Sequence, residues 1–187
     1  MAQARFVTDQ PDGDELDYAS PTQFKFEIKQ LPKVSFFNVA CNLPGVSMTP
    51  TIQDTAVLGR DIPIHGSKVD FEEFTIRFIV DEQLINYREL HAWLMALGFP
   101  KDKSQLINWV TDDSRVADKD ASYARRMYSD ATLFILSNKN NPITKVHFYD
   151  MFPLTLSGLD YSQDATDVEY LQATATFAYM LYEFENV

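Results

Sequence analysis

The length and the charge of this chain limit what it can do. Its 187 residues are enough for one domain with a sizeable hydrophobic core. The formal net charge of −11 argues against a protein that grips nucleic acid by its phosphates, because that task needs clustered lysine and arginine side chains. The same charge suits a protein that nucleic acid passes without sticking, and it suits ordinary solubility equally well.

Cysteine content and hydropathy narrow the class further. Cys41 is the only cysteine, which excludes an intrachain disulfide and a cysteine zinc site and predicts a buried, reduced thiol. Residues 1–20 lack the apolar stretch of a signal peptide, and no run of the sequence is long enough to span a membrane. We therefore expect a protein that is made and kept in a cytoplasm.

The N-terminal segment differs in composition from the strands that follow it. Residues 1–20 are polar and acidic, which predicts an extended arm that a partner could order, and residues 21–187 form the predicted domain. Apolar and charged side chains alternate over Phe24–Ile28, as they do in a half-buried strand. Val34–Cys41 is interpreted as the hairpin partner of that strand.

The next part of the chain contains a loop, a strand and the clearest helix. Residues 46–68 carry two prolines and two glycines without a strong period and are interpreted as a long ordered loop. Asp70–Val80 alternates most regularly and predicts a strand. The helix begins after Asp81, a good N-cap, and ends where Gly98 takes the position after the last turn and Pro100 prevents continuation.

The C-terminal half predicts an insertion followed by three strands. Residues 101–129 are charged and poor in apolar side chains, which indicates a surface insertion and not a second domain. Ala131–Ser137 and Thr144–Tyr149 are predicted strands, the second of them ended by Met151–Pro153. Tyr170–Phe184 alternates over its whole length and is predicted to be one long final strand. The sum is a mainly β domain with one flanking helix.

The sequence offers no converging groups for catalysis. The three histidines, His65, His91 and His147, fall in a predicted loop, helix and strand, so no two of them form a helical metal pair. Phosphate-binding glycine loops and nucleophile motifs are absent. Aspartates between residues 112 and 120 lack the turn glycine and the final glutamate of a calcium loop. We therefore predict that the chain is not an enzyme and that it has no cofactor and no metal site.

The order of short motifs carries more information than any one of them. The first half contains a strand pair, a Leu-Pro-Gly turn, a Gly-Arg-x-Ile loop, a strand and a helix with an internal Trp. These motifs are Phe24–Ile28, Phe36–Cys41, Leu43–Gly45, Gly59–Ile62, Gly66, Phe71–Val80 and Leu90–Trp93. The second half adds a strand, an aromatic-proline pair, a Leu-Asp-Tyr step and an aromatic-glutamate tail. These are Thr144–Tyr149, Phe152-Pro153, Leu159–Tyr161 and Tyr182–Glu185.

In this order the motifs resemble the tail tube proteins of contractile-tailed bacteriophages of the T-even type. That family is related to type VI secretion tube and baseplate tube proteins. The resemblance implies two packed antiparallel sheets, or a small β-barrel of tail tube type, with one flanking helix. It also implies a structural virion protein that forms stacked hexameric rings, in which two hairpins from each subunit join one barrel around the lumen.

The same resemblance implies partners and a location. The partners are further copies of the chain, the tail sheath, the baseplate and the tape-measure protein, with no membrane. DNA passes through the lumen during ejection without specific binding. The protein is then a component of the virion tail that is assembled in the cytoplasm of a bacterial host.

Two other functions stay open from the sequence. The acidic arm and the insertion at 101–129 depart from the simplest family pattern, so the chain could be a baseplate tube initiator or a tube-terminating ring protein of the same fold. A β-barrel module that binds a small ligand or a peptide is the alternative from another class. It predicts a stable monomer with a concave apolar pocket.

Residues for assembly are predicted from the polar strand faces and from the loops. The lumen-facing candidates are Lys25, Glu27, Lys29, Glu73, Thr75, Arg77, Gln172, Thr174 and Thr176. Side chains in the arm, the long loop and the insertion are candidates for contacts between rings or with the sheath. They are Asp14, Tyr18, Met48, Ile52, Val57, Arg60 and Trp109.

Overall fold

The structure is a computed structural model that describes residues 22–31, 38–53, 61–112, 125–162 and 170–186. The predicted N-terminal arm and much of the predicted insertion lie outside these ranges. Eleven strands and two α-helices make up the described part. The strands are β1 (Phe24–Ile28), β2 (Asn38–Cys41), β3 (Val46–Met48), β4 (Thr51–Gln53), β5 (Ile62–Ile64), β6 (Val69–Phe71), β7 (Phe74–Ile79), β8 (Ser129–Leu136), β9 (Pro142–Leu156), β10 (Gln172–Ala178) and β11 (Leu181–Asn186). The helices are α1 (Ile85–Gly98) and α2 (Ser104–Thr111), and a 3₁₀ turn spans Arg125–Met127.

Two antiparallel sheets share the long strand β9. The first half of β9 pairs with β8 and β11, and β1 pairs with β8, which gives a first sheet in the order β1-β8-β9-β11. The second half of β9 pairs with β10, and the second sheet runs β9-β10-β7-β2. Asp150 separates the two halves with a φ of 51°, a conformation that bends the strand from one sheet into the other.

The core lies between the two sheets because each strand turns its alternate apolar side chains inward. Phe26 of the first sheet and Phe74 of the second have ring centroids 4.7 Å apart, and Phe148 lies 4.8 Å from Phe74. All three side chains are fully buried. Burial of each such ring contributes about 2–3 kcal/mol, so these contacts dominate the packing of one sheet on the other. The predicted fold class of two packed antiparallel sheets is confirmed.

The helices cover one end of this core and correct the prediction of a single helix. Trp93 of α1 is fully buried and lies 6.3 Å from Phe177 of the second sheet. Its indole N–H donates to the Met127 carbonyl at 3.0 Å. Trp109 of α2 stacks on Trp93 with centroids 6.1 Å apart. The sequence analysis missed α2 because the helix is only eight residues long and lies within a segment that is charged as a whole.

The start of α1 also differs from the prediction. Asp81 does not cap the helix, which begins at Ile85 after Leu84 in the left-handed conformation, with a φ of 56°. The side chain of the buried Asn86 organises this corner. Its oxygen accepts bonds from the Asp81 and Tyr87 amides at 3.2 and 2.8 Å, and its amide donates to the Ile79 carbonyl at 2.9 Å.

Three predicted strand arrangements are wrong in the structure. β2 pairs with β7 and not with β1, whose partner is β8. Met151–Pro153 does not end its strand, since β9 continues through it at the edge of the second sheet, where a proline is tolerated. The predicted final strand is divided at Tyr179–Met180 into β10 and β11, which belong to different sheets.

Within the described residues, neither helix is long and apolar enough to cross a bilayer.

Candidate assembly surfaces

A two-stranded ribbon, here called the hairpin extension (Val46–Phe71), stands apart from both sheets. β3 pairs with β6 and β4 pairs with β5, and neither pair hydrogen-bonds to another strand in the described part of the chain. The sequence predicted a long ordered loop here. Its prolines and glycines hid the pairing, because they interrupt each strand into pieces of three residues that are too short to show alternation.

The hairpin extension exposes apolar side chains from all four of its strands. The exposed large apolar residues are Val46, Met48, Ile52, Ile62, Ile64, Val69 and Phe71. Ile52 is the most exposed of them, at 65%. A two-stranded ribbon is only marginally stable in water by itself, and contiguous apolar surface of this kind marks a contact site. The ribbon therefore has the character of a surface that another chain covers.

One glycine is essential for the pairing within this ribbon. A Cβ atom added at Gly66 would lie 2.1 Å from the carbonyl oxygen of Thr49, a backbone atom that cannot rotate away. The two strands can approach each other here only because residue 66 has no side chain. The Gly66 motif that the sequence analysis singled out is thus a requirement of close strand approach.

The outer face of the second sheet is polar and rich in hydroxyl groups. Its members, called the threonine face, are Thr75, Arg77, Gln172, Thr174 and Thr176. Thr75 lies opposite Thr176 and Arg77 lies opposite Thr174 across the β7–β10 ladder. Their neighbours Phe74, Ile76 and Phe78 point to the core on the other side of the same strand. Glu73 is exposed just before β7, so these six lumen-facing candidates lie on one surface.

The outer face of the first sheet carries a different set of groups. Its members, called the charged face, are Lys25, Glu27, Lys145, His147, Glu183 and Glu185. The His147 imidazole lies 2.7 Å from the Glu185 carboxylate. This hydrogen bond, helped by the charge of Lys145, lowers the pKa of Glu185 below its ordinary value. The surface therefore carries charged and hydrogen-bonded side chains exposed to solvent, among them the ion pair of Lys25 and Glu27.

The nine lumen-facing candidates do not form a single surface. The core separates the two sheets, so the charged face and the threonine face point in opposite directions. Lys25 and Glu27 lie on the charged face, and Lys29 is exposed just beyond the end of β1. One subunit can turn only one of these faces toward a central channel.

The other assembly candidates have three different locations. Met48 and Ile52 are exposed on the hairpin extension, as expected for contact residues. Trp109 is only 7% exposed and belongs to the core, so its large side chain holds α2 in place and does not offer a contact surface. The remaining candidates, Asp14, Tyr18, Val57 and Arg60, lie outside the described residues.

An enzyme or a binding module needs reactive groups, a metal site or a pocket that holds its ligand. No group of three or more His, Cys, Asp or Glu side chains within the described residues could hold a metal ion. Burial raises the pKa of the Cys41 thiol to about 11, which keeps it protonated and unreactive near neutral pH. An open groove of about 470 Å³ lies between α1 and α2, with His91, Lys101 and Asp112 beside Met95 and Trp109. Its mixed lining differs from the concave apolar pocket that the binding-module hypothesis predicts.

Known proteins give a consistent picture of this fold. No family model matches the sequence. The tail tube terminator protein of Enterobacteria phage T4 is 24% identical over 174 residues, which are 90% of this chain and 89% of that protein. A chain of the anti-feeding prophage baseplate, solved with six-fold symmetry imposed, superposes with a TM-score of 0.61 at 10% identity, over 91% of this chain and 97% of that one.

The chain has the fold of a tail tube protein. The tube-terminating cap of the anti-feeding prophage superposes with a TM-score of 0.56 at 11% identity, covering 97% of this chain and all of that one. The tail tube resemblance read from the motifs is therefore confirmed. The motifs identified the fold correctly although they predicted several of its strand partners wrongly.

Proposed function

We propose that this tail-tube-type chain is a structural protein of a contractile tail that forms the ring terminating the tail tube. The observation that carries the proposal is the similarity to the T4 tail tube terminator, which extends over nine-tenths of both chains. The similarity is therefore not confined to a short shared segment. The terminating ring was an alternative in the sequence analysis, and it now replaces the repeating tube subunit as the first choice.

The second sheet provides the ring contacts in this proposal. It has four alternating strands, so its edge strands β2 and β9 run in opposite directions. In the described residues, β2 has no partner beyond β7, and β9 has none beyond β10 after Met151. Rotation about a central axis therefore brings β2 of one copy antiparallel to β9 of the next. The two strand pairs β2–β7 and β9–β10 are the two hairpin contributions that the resemblance implies, and the six-fold baseplate supports six copies.

The threonine face lines the lumen of this ring. Hydroxyl and amide groups on that face offer DNA no cluster of positive charge to bind its phosphates, so the duplex slides past during ejection. The charged face points away from the axis, toward the surroundings of the tube. Lys25, Glu27 and Lys29 are accordingly withdrawn as lumen residues. The retained candidates are Glu73, Thr75, Arg77, Gln172, Thr174 and Thr176.

The hairpin extension makes the contacts between rings. Met48 and Ile52 expose apolar area that a ring of the tube covers in a head-to-tail, heterologous contact. The outer surfaces, including the charged face, are where the sheath acts, and the baseplate and tape-measure proteins complete the set of partners. The assembled ring belongs to the virion tail and is built in the host cytoplasm.

The repeating tube subunit is the second candidate function. It is supported by the exposed apolar area on all four strands of the hairpin extension, which a second ring of identical copies could cover. The terminator and the tube subunit share the same ring geometry and differ in whether identical rings stack on each other.

Negative-stain electron microscopy of the concentrated, purified protein distinguishes the candidates. Discrete single rings are the expected result for a terminator, and open-ended tubes would support the repeating subunit instead. The experiment is repeated over a range of salt concentrations, because exposed charges are screened as salt rises. A protein that stays monomeric under every condition would contradict both ring functions and favour the binding module.

A further inference from the structure

Tyr179, in the turn between β10 and β11, and Tyr182, the second residue of β11, bind the base of the hairpin extension. The Tyr179 hydroxyl donates to the carbonyl oxygen of Glu72 at 2.7 Å, next to β6. The Tyr182 hydroxyl donates to the carbonyl oxygen of Pro44 at 3.1 Å, next to β3. Each strand of the ribbon is therefore held at its root by one phenol. Both bonds join residues more than a hundred positions apart in sequence.

The rings of these tyrosines connect the ribbon to the core. Phe71, the last residue of β6, lies 6.0 Å from Tyr179 and 5.6 Å from Tyr182, both edge-on. Phe148, which is fully buried, lies 5.1 and 5.7 Å from the same two rings. The aromatic contacts thus run from the core through both tyrosines to Phe71, the last residue of the hairpin extension.

We propose that Tyr179 and Tyr182 are positioning residues that fix the direction in which the hairpin extension leaves the domain. This inference rests on the proposed ring function, in which that ribbon must meet a neighbouring ring at a defined angle. A ribbon free to pivot would lose conformational entropy when it docked, whereas a ribbon held in advance does not. In this role the tyrosines act through the ribbon, whose root they hold.

The hydroxyl groups, and not the rings alone, are the specific part of this arrangement. The root of the ribbon is otherwise joined by the reciprocal pair of Gly45 and Glu72, whose backbone groups bond at 3.0 Å and whose side-chain bond measures 3.2 Å. That pair ties the two strands to each other and not to the domain. Burial raises the pKa of Tyr179 to about 12, so its hydroxyl remains a donor throughout the physiological range.

The test compares hydrogen exchange in two double variants of the unassembled protein. Tyr179→Phe with Tyr182→Phe keeps both rings and removes both donors. Tyr161→Phe with Tyr170→Phe is the matched control, because those side chains are 72% and 75% exposed. We expect amides of β3–β6 to exchange on the order of tenfold faster in the first variant and unchanged in the control, while the amides of β7 and β10 keep their protection.

Two results would overturn the inference. One is unchanged exchange in β3–β6, which would show that the hydroxyl bonds do not restrain the ribbon. The other is an equal increase across β3–β6 and the core strands, which would show a general loss of stability and no positioning role. Since exchange is measured before assembly, failure of the wild-type chain to form rings counts against the proposed function and leaves this test intact.

Discussion

Asn86 shows how one buried polar side chain can determine where an element begins. It accepts two backbone amide bonds and donates one to a backbone carbonyl, and it is only 2% exposed. The end of β7 and the start of α1 both depend on it. The sequence analysis expected Asp81 to cap the start of the helix, because a capping residue is recognised by its type and position. The bonds of Asn86 instead reach back to Ile79 in the preceding strand.

Replacement of Asn86 by alanine should therefore be costly. Asn86→Ala leaves the Ile79 carbonyl and two amides without their partner in a poorly solvated corner. We expect the free energy of unfolding to fall by about 2–4 kcal/mol, as measured by urea denaturation. Asn186→Ala, at the exposed end of β11, is the control and should change it by less than about 0.5 kcal/mol. Equal effects of the two would contradict the role given to Asn86.

The hairpin extension shows, at the scale of an element, where prediction from local sequence patterns fails. Its existence is difficult to predict because each of its strands is three residues long and Pro63 lies within β5. The alternation of Asp70–Val80 predicted a strand, and Phe74–Ile79 forms one, whereas Val69–Phe71 pairs separately within the hairpin extension. The pairing of β2 with β7, the bend of β9 at Asp150 and the change of sheet after Ala178 are tertiary choices. Local patterns do not encode them.

Two glycine substitutions distinguish the role of the hairpin extension in assembly from the stability of the rest of the domain. Gly66→Ala places a methyl group against the Thr49 carbonyl and should distort the ribbon, so rings should still form but no longer attach to the end of a tail tube in electron micrographs. The melting temperature should change by only a few degrees, because the ribbon is outside the core. Gly98→Ala meets no atom within 4 Å and lies in α1, so its rings should still attach and its stability should be kept or raised. Gly66→Ala rings that attach as the wild-type rings do would contradict the assembly role of the ribbon.

At the scale of the whole molecule, the opposition of the two outer faces decides what a ring can present to its channel. The sequence analysis placed the lumen-facing candidates on the polar faces of strands but could not tell that β1 and β7 lie in different sheets. That information depends on which strands pair, and the pairing was predicted wrongly for β2. The proposed channel is therefore lined mainly by neutral groups, with Glu73 and Arg77 as the charged members among the retained candidates of each subunit.

A charge added to one face tests this assignment. Thr174→Lys adds a positive charge to the threonine face of every subunit, whereas Thr132→Lys adds the same charge beside the charged face, where Thr132 contacts His147. We expect only Thr174→Lys rings to retain short double-stranded DNA at low salt, with retention falling steeply as salt rises. Fluorescence anisotropy of a labelled duplex measures how much DNA the rings retain at each salt concentration. Equal retention by both variants would mean that the threonine face does not line the channel.

The passage of β9 through both sheets has a mechanical consequence. A force that pulls on the second sheet reaches the first through the peptide bonds of one continuous backbone, and not solely through side chains that touch across the interior. The two layers are thus resistant to shear, since sliding one past the other requires the chain at Asp150 to be straightened. In the proposed ring, a subunit built in this way would transmit an axial load without coming apart between its layers.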